Sequence, residues 1–423
     1  MTISEFASIF EIDSNDERLI NSIKTDTREL EPGDVFIALK GKNYDGNDFI
    51  EEAINKGAVL CITERNYPNT IKMNGIDALF KIGKYIRSKY DIPLIAITGS
   101  NGKTTTKELL HHVLSSKYKV LKNDLNENNI IGVSKTLFKL DDTYDLIIME
   151  LGTNKIGEIS KLSRLCSPDY SIITNIGTSH LEYFNDRKTI FKEKYSIIDG
   201  MKIPRLIVNG DSKYLKRLNK YKCGTKLNSD LIAYNINTYD TYLTFNIFVE
   251  KEYTVRFNNP CKHFINDILL VIKASLDYGI DINTIIDKIN TFNMVDKRFN
   301  IEFINNTLII NDCFNSSYES VVGGINYLKT LKGKKLLILG DILELGKYSK
   351  MIHKKINFRL KFLRNKDIIT VGEDSKYIKG KHYDNSSEVD IDIDKYDIIY
   401  IKGSRRINLD IVYDYIKSVI YNK

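Results

Sequence analysis

A glycine-rich loop joins an apolar run to an amphipathic run near residue 100. Residues 94–98 are apolar and predict a buried strand, and residues 107–114 carry apolar side chains at helical spacing. In such a unit, glycines let backbone N–H groups approach phosphate oxygens, and the helix N-terminus adds positive potential. The pattern therefore predicts an α/β fold whose loop binds the phosphates of a nucleotide through Gly99, Ser100, Asn101, Gly102, Lys103, Thr104 and Thr105.

Lys103 and Thr104 distinguish this loop from an ordinary glycine-rich turn, which needs neither residue. The lysine would supply a catalytic point charge for phosphate, and the threonine would offer a hydroxyl to Mg²⁺. In the common spacing G-x-x-x-x-G-K-[ST] the first glycine would fall at Ile97, whereas here Gly99 and Gly102 are three residues apart. The residues thus predict ATP and Mg²⁺ as ligands of a variant phosphate loop.

The order of apolar and amphipathic runs predicts several domains. Domains usually have roughly 100 to 200 residues, so a chain of 423 residues is expected to form about three. We place them at residues 1–90, 91–295 and 296–423. The second begins with the pattern of a doubly wound parallel sheet, and the third has its own α/β alternation. The expected strands of these two domains are residues 94–98, 145–150, 170–175, 205–208, 307–311, 335–339, 368–371 and 397–401.

Composition and charge argue against several classes of protein. The chain has 42% hydrophobic and 28% charged residues, and it lacks the run of about 18 apolar residues that membrane insertion requires. Its net charge of +7 is spread along the chain, which argues against nucleic acid as a partner. No secretion signal follows Met1, and the five scattered cysteines predict free thiols. We therefore expect a cytoplasmic enzyme with small-molecule substrates.

The loop spacing T-G-x-x-G-K-T-T resembles that of the Mur ligases, and other stretches extend the resemblance along the chain. Among them are D-T-R in the first domain, N-E-N-N-I-I-G and E-L-G-T-N in the second, and G-D-I-L-E-L-G in the third. Their agreement in this order is not expected by chance. The stretches lie at residues 26–28, 32–41, 126–132, 150–154, 157–159, 174–177, 180–182 and 340–346.

The resemblance implies a three-domain Mur ligase architecture. The first domain would bind a UDP-muropeptide, the second would be a central P-loop ATPase, and the Rossmann-like C-terminal domain would bind the incoming dipeptide and close on ATP. The likeness is strongest to members that join D-alanyl-D-alanine to a UDP-N-acetylmuramoyl-tripeptide through an acyl phosphate, the last cytoplasmic step of peptidoglycan precursor synthesis. The resemblance also implies ADP release and a monomer. Two alternatives stay open: a Mur-type ligase with another acceptor or amine, and a non-catalytic nucleotide-binding module.

Thr104, Glu150 and His180 are the candidate metal ligands. Glu150 ends one apolar strand and His180 follows the next, so both are expected at the edge where open α/β sheets bind ligands. Mg²⁺ prefers oxygen ligands, which favours Thr104 and Glu150. The resemblance assigns His180 a catalytic place at a second magnesium near the γ-phosphate. The alternative is a histidine that caps a loop.

Other residues of the site follow from the resemblance. Lys194 is similar to a family lysine that can be carbamylated to an anion, which would help to hold the second Mg²⁺; the alternative is a solvated lysine. Arg298 is similar to the arginine of a Gly-Arg pair and would clamp the transferring phosphoryl group. Residues 311–318 resemble an Asp-Asp-Ser-Tyr-Asn-Ala-Asn-Pro pattern, in which Asp312 and Asn315 are retained as nucleotide contacts.

The adenine side of the site can be aligned in two ways. The family has Gly-Arg-His-Asn-x-x-Asn where a helix begins, and this chain lacks the glycine. Either His263 matches the histidine and Asp267 takes the last position, or Asn266 matches the asparagine and Lys262 replaces the histidine. We prefer Asn266 as the nucleotide contact.

Both ends of the chain resemble substrate-binding stretches of the family. The uridine nucleotide and muropeptide contacts would lie in the first domain, although residues 45–48 also suit a turn or a helix cap. A loop after the last expected strand would bind the terminal carboxylate of the dipeptide, for which an arginine offers bidentate geometry. The candidates are Asp26, Thr27, Arg28 and Asn47 in the first domain, and Lys402, Ser404 and Arg405 in the third.

Overall fold

The N-terminal part of the chain forms a small parallel sheet; the computed structural model describes residues 1–421. The strands are β1 Ile23–Lys24, β2 Val35–Ile37, β3 Leu60–Thr63 and β4 Thr70–Lys72. They pair in the order β1-β2-β3-β4. The helices of this part are α1 Ile3–Ser8, α2 Ile50–Asn55 and α3 Gly75–Lys89. The last of these begins after Asn74, whose side chain accepts hydrogen bonds from two backbone N–H groups of its first turn.

The central sheet has seven parallel strands. They are β5 Leu94–Thr98, β6 Val120–Lys122, β7 Leu146–Glu150, β8 Tyr170–Ile173, β9 Leu206–Asn209, β10 Tyr221–Gly224 and β11 Leu231–Ile232. The strand order is β11-β10-β9-β8-β5-β7-β6. All side chains of β5, β7 and β8 are buried, as in parallel sheets that helices cover on both faces. The helices of this part are α4 Lys103–Leu114, α5 Ile130–Leu137, α6 Glu158–Cys166, α7 Leu181–Phe184, α8 Arg187–Tyr195, α9 Phe264–Asp277 and α10 Ile282–Thr291.

The strand order reverses beside β5, and this reversal positions the site. The chain crosses from β5 to β6 on one side of the sheet, whereas β8 lies on the other side of β5. In open α/β sheets, ligands bind in the crevice at such a point, at the carboxyl ends of the strands. The loops that follow β5, β7 and β8 therefore meet at one edge.

Two further sheets complete the described chain. A three-stranded antiparallel sheet contains β12 Tyr234–Thr238, β13 Leu243–Val249 and β14 Lys251–Phe257. The C-terminal sheet contains β15 Asn300–Ile304, β16 Thr307–Asp312, β17 Lys335–Gly340, β18 Lys366–Val371, β19 Lys381–Tyr383 and β20 Ile398–Lys402, in the order β15-β16-β20-β17-β18-β19. Only β15 runs antiparallel to its neighbour in that sheet. Its helices are α11 Tyr318–Leu328, α12 Ser349–Leu360 and α13 Asp410–Tyr421.

The eight strands expected from the sequence are all confirmed, with ends that shift by one or two residues. Short strands such as β6 and β19 were not predicted, because three residues are too few to show an alternation. The five cysteines are buried free thiols, as expected. Within residues 1–421, none of the helices has the length and apolar character needed to cross a membrane.

Aromatic side chains pack between the central and C-terminal sheets. The ring of Phe299, at the start of the C-terminal part, lies 6.4 Å from that of Phe264 at the first turn of α9. It also lies 5.7 Å from the ring of Tyr327 on α11 and 6.0 Å from that of Tyr400 on β20. Phe299 has 1% exposure. The C-terminal part therefore rests on the central sheet through an apolar contact.

Candidate active site

One cavity of about 640 Å³ lies between the central and C-terminal sheets. Its walls come from the glycine-rich loop, the ends of β7 and β8, the start of α9 and the loop after β16. Ile76 on α3 also reaches it, so all three parts of the chain contribute. A volume of this size suits a small-molecule ligand.

The glycine-rich loop follows β5 in a crowded place. A Cβ on Gly99 would lie 1.9 Å from Oγ1 of Thr174, and one on Gly102 would lie 2.5 Å from Oδ1 of Asp267. Gly102 also has a φ of 81°, in the left-handed region that other residues avoid. Nζ of Lys103 donates a hydrogen bond of 2.9 Å to the carbonyl of Gly99 and closes the loop. The shape of the loop therefore requires glycine at both positions.

The hydroxyl of Thr104 lies at the centre of a polar chain. Oγ1 of Thr104 donates to Oε2 of Glu150 at 2.9 Å and accepts from Nη2 of Arg298 at 3.0 Å. Nδ2 of Asn128 donates to the other oxygen of Glu150 at 2.8 Å. Burial opposes ionisation of Glu150, but the charge of Lys103 and other nearby groups hold its pKa below the ordinary value. The end of β7 thus presents an anionic carboxylate to the cavity.

Thr104 and Glu150 fit a magnesium ion by their chemistry. They offer a hydroxyl and a carboxylate, which are the oxygen ligands that Mg²⁺ prefers. Within residues 1–421, no group of three or more histidine, cysteine, aspartate and glutamate side chains is arranged to hold a metal ion. Mg²⁺ usually takes one or two protein ligands and completes its shell with water and phosphate.

His180 lies at the mouth of the same crevice and faces the C-terminal part. Its Nδ1 is 2.6 Å from Oε2 of Glu344, and the backbone N–H of Glu182 donates to the carbonyl of Glu344 at 3.0 Å. Both His180 and Glu344 have a φ of 62°, a left-handed conformation that is strained for residues other than glycine. Burial lowers the pKa of His180, and Glu344 opposes that shift. The ring is therefore oriented by a carboxylate of the other domain.

Lys194 is buried on α8, unlike its exposed neighbour Lys192. Only 1% of Lys194 is exposed, and its Nζ has no hydrogen-bond partner among the described residues. Burial and the charge of Lys103 lower the pKa of Lys194 well below its ordinary value. The alternative of a solvated lysine is therefore wrong. Burying the charged form of this amine without a described partner is costly, which favours the neutral form.

Arg298 is held by an aromatic contact as well as by Thr104. Its guanidinium lies 4.2 Å from the centre of the Phe314 ring, and the guanidinium of Arg405 lies 5.5 Å from the same centre. Phe314 takes the place of a tyrosine in the family pattern, and Lys297, in place of the glycine, forms an ion pair of 3.0 Å with Asp410. Phe314 and Lys297, which both differ from the family pattern, therefore each contact a charged side chain.

Two expectations for the dipeptide loop are corrected. Nζ of Lys402 lies 2.7 Å from Oδ2 of Asp312 and donates to the carbonyl of Asn315 at 3.0 Å, so this cation is already paired. Oγ of Ser404 accepts a hydrogen bond of 3.0 Å from the N–H of Leu343, and Ser404 has 5% exposure. Lys402 is therefore paired within the protein to the carboxylate of Asp312, and Ser404 fixes a backbone turn. Among the three residues predicted to bind the dipeptide, only Arg405 has an exposed side chain.

The candidates in the first domain lie away from the cavity. Asp26, Thr27, Arg28 and Asn47 are absent from the described residues that line it. Arg28 is exposed and pairs with Asp26 at 2.5 Å, so both stay available at the surface. Asn47 has 2% exposure, and its Oδ1 accepts hydrogen bonds from Oγ1 of Thr63 and from a backbone N–H. The preference for Asn47 as a substrate contact is corrected, since its side chain holds a turn.

The start of α9 lies beside the cavity. His263 and Asp267 line it, whereas Asn266 is not among its described lining residues. Oδ1 of Asn266 is buried and has no hydrogen-bond partner among the described residues. The choice of Asn266 as the nucleotide contact therefore stays a prediction, beside the alternative that matches His263 and Asp267 to the family pattern.

A carboxylate that the sequence analysis missed joins the two domains. Oε2 of Glu319 accepts from the N–H and the hydroxyl of Thr178, at 3.2 and 2.8 Å, and Oε1 accepts from Nη2 of Arg187 at 2.6 Å. Nearby, Oγ of Ser317 donates to Oδ1 of Asn101 at 2.9 Å. The first turn of α11 is thus attached to the phosphate loop and to the loop after β8. A polar N-terminal turn was visible in the sequence, but not the residues that it contacts.

Comparison with known proteins agrees with this geometry. Residues 19–87 match the family model described as Mur ligase family, catalytic domain, and residues 97–275 match the Mur ligase middle domain. The UDP-N-acetylmuramoyl-tripeptide–D-alanyl-D-alanine ligase of Bacillus subtilis is 31% identical, over 95% of this chain and 94% of that protein. The chain belongs to the Mur ligase family. As a member of that family it is an ATP-dependent ligase.

Solved structures of Mur ligases share the whole fold. MurF from Acinetobacter baumannii has a TM-score of 0.89 at 25% identity, covering 100% of this chain and 99% of that one. MurF from Thermotoga maritima, solved in complex with ADP, has a TM-score of 0.87 at 25% identity, covering 95% and 98% of the two chains. The three-domain Mur ligase fold expected from the sequence is confirmed.

Glu319→Gln should weaken the contact between the two domains of this Mur ligase. The change keeps the shape of the side chain and removes the charge that pairs with Arg187. Because both side chains are partly exposed, we expect a loss of roughly 1 kcal/mol, or about a fivefold fall in kcat/KM. Small-angle scattering should show a larger radius of gyration. Glu373→Gln, at an exposed position of the C-terminal domain, is the matched control. Equal kcat/KM and radius of gyration in the two variants would contradict the role of Glu319 in holding the domains together.

Asp267→Asn should change how stability depends on pH. Burial raises the pKa of Asp267 well above its ordinary value of 3.8, so the folded protein binds this proton more tightly than the unfolded chain. The stability that this proton contributes is fully present below the unfolded pKa and is lost as pH rises through the folded pKa. The variant should therefore gain Tm over the native protein at pH ~8 but not at pH ~4. The exposed control Asp287→Asn should differ from the native protein by the same Tm at both pH values. The same behaviour in Asp267→Asn would contradict the prediction.

Proposed function

We propose that this ligase joins D-alanyl-D-alanine to a UDP-N-acetylmuramoyl-tripeptide with cleavage of ATP to ADP and phosphate. The supporting observation is that Lys103, Glu150 and Arg298, from two domains, surround one cavity in a chain whose full-length relatives are named for that reaction. The reaction would take place in the cytoplasm, with the protein as a monomer. Peptidoglycan precursor synthesis is the process it would serve.

The phosphates of ATP would lie on the glycine-rich loop. The backbone N–H groups of residues 99–105 and the N-terminus of α4 favour negative charge there. Lys103 and Arg298 would hold the charge of the transferring phosphoryl group, and Asp312 and Asn315 would contact the nucleotide. Mg²⁺, held through Thr104 and Glu150, would neutralise phosphate charge.

The proposed reaction has two steps in the same cavity. The terminal carboxylate of the tripeptide attacks the γ-phosphorus of ATP, and ADP leaves, so that an acyl phosphate forms. The amine of the dipeptide then attacks the acyl carbon, loses a proton and releases phosphate. Closure through Phe299 and Glu319 keeps water away from the acyl phosphate, which would otherwise hydrolyse.

Each domain would hold one part of the reactants. Residues 1–90 would bind the UDP-muropeptide with the exposed pair Asp26 and Arg28 and the neighbouring Thr27. Residues 91–295 would bind ATP, and residues 296–423 would bind the dipeptide. Because Lys402 is paired with Asp312, the exposed guanidinium of Arg405 is the better candidate for the dipeptide carboxylate.

An ADP-release assay tests the proposed substrates. Purified protein with ATP, Mg²⁺ and UDP-N-acetylmuramoyl-tripeptide should release ADP only when D-alanyl-D-alanine is also present. Thr104→Val should abolish the signal, because it removes the hydroxyl that joins Glu150 and Arg298. Release with a single amino acid but not with the dipeptide would instead favour another Mur-type ligase. Release of no ADP under any combination would favour a non-catalytic homologue.

We also propose that Lys194 is carbamylated. Burial and the charge of Lys103 favour the neutral form of the Lys194 amine. A neutral amine attacks the carbon of CO₂ to give a carbamate and release a proton. The resulting anion would take the place of an amine without a described partner and help His180 to hold a second Mg²⁺.

Lys194→Gln should reduce kcat by roughly 10- to 100-fold, because the anion beside the second metal site is lost. Protein equilibrated with ¹³C-bicarbonate should show a carbamate carbon resonance by NMR that is absent from this variant. Lys192→Gln, on the exposed side of the same helix, should keep both the resonance and the activity. A resonance that persists in Lys194→Gln would assign the carbamate elsewhere.

A further inference from the structure

Helix α12 and the residues on either side of it form a surface whose charged side chains are all basic. Residues 345–366 contain no aspartate or glutamate, although the whole chain has 55 acidic residues against 62 basic ones. Seven basic side chains of the segment are exposed, and none of them forms an ion pair with another described residue. They are Lys347, Lys350, Lys354, Lys355, Arg359, Lys361 and Arg364.

Three large apolar side chains are exposed in the middle of these charges. Met351 has 45% exposure, Phe358 has 57% and Phe362 has 60%. A separation of seven residues places Met351 and Phe358 on one face of α12, and Phe362 lies in the turn that follows the helix. The rings of Phe358 and Phe362 touch, with centroids 5.4 Å apart. The opposite face of α12 is buried through Ile352, His353, Ile356 and Leu360.

Lysines border this apolar stripe on both sides. Lys354 and Lys355 follow Met351 by three and four residues, so one lies to either side of it. Lys347 and Lys350 extend the border at the start of the helix, where the surface forms a shallow groove with Tyr318. We call the surface formed by the stripe and its bordering lysines the α12 face.

We propose that the α12 face binds peripherally to the surface of an anionic phospholipid bilayer. Exposed phenylalanine and methionine side chains gain free energy when they enter the boundary between headgroups and acyl chains. The bordering lysines are long enough to keep their ammonium groups at the level of the phosphates. An exposed apolar stripe bordered on both sides by cations without a described ion-pair partner matches this partner in charge and in polarity.

The inner face of α12 explains why docking would not require refolding. The helix is already anchored on the C-terminal sheet through its buried residues, so its outer face is presented as a rigid surface. Binding would then be reversible and sensitive to salt, because it depends on surface charges and a few side chains. The lipid contact is separate from the ligase reaction, since no residue of the stripe lines the active-site cavity described above.

A single tryptophan can report directly on the contact, because the chain contains none. Phe362→Trp should show a blue shift of its emission with vesicles of phosphatidylglycerol and phosphatidylcholine, and none with phosphatidylcholine alone. The control is Phe248→Trp on β13, a position with 65% exposure outside the α12 face. A shift at both positions, or at neither, would overturn the proposal.

Co-sedimentation of the full chain with the same vesicles distinguishes binding through the α12 face from attraction by net charge alone. Lys354→Glu/Lys355→Glu should lower the vesicle-bound fraction roughly tenfold or more, with ligase activity in solution unchanged. Lys213→Glu/Lys216→Glu makes the same change in net charge at exposed positions of the central domain and should bind as the native protein does. Phe358→Ser/Phe362→Ser should lose the binding that remains at high salt.

Equal loss in the two double-charge variants would show that net charge alone attracts the protein, and would overturn the assignment to α12. Binding of an oligonucleotide of the same charge density in place of vesicles would also overturn it.

Discussion

The hydroxyl of Thr104 connects the two halves of the active site. It lies between the carboxylate of Glu150, at the end of β7, and the guanidinium of Arg298, from the C-terminal part of the chain. Because Thr104 begins the helix that follows the glycine-rich loop, this contact ties the position of the loop to the closed arrangement of the domains. The polar wall of the cavity depends on it, since the phosphate loop and Arg298 come from different sheets.

The domain contact also stores some strain. His180 and Glu344 face each other across it, each in a left-handed backbone conformation, and Lys297 beside Arg298 has a φ of 59°. Such conformations cost on the order of 1–3 kcal/mol each. They persist because Phe299 is buried against the central sheet and because Glu319 pairs with Arg187. An interface that balances strain against a few contacts is suited to open and close during a catalytic cycle.

The local sequence was enough to place the glycine-rich loop between β5 and α4, with Gly99, Gly102 and Thr104 in it. The crowding around both glycines agrees with that placement, and the binding roles of the three residues stay predictions. The sequence could not show whether a polar side chain bonds to a ligand or to the protein itself. Asn47 and Ser404 have polar groups that could contact a substrate, but both side chains form hydrogen bonds within the protein.

The sequence by itself determined the family, the central parallel sheet and the phosphate loop, because strand and helix patterns and loop chemistry are local properties. Only the tertiary structure decided which charges are free. It paired Lys402 with Asp312, buried Lys194 without a partner among the described residues, and placed Asp267 in the wall of the cavity. The reason is that pairing and burial depend on residues that are distant in the chain, and their positions become defined only when the domains pack together.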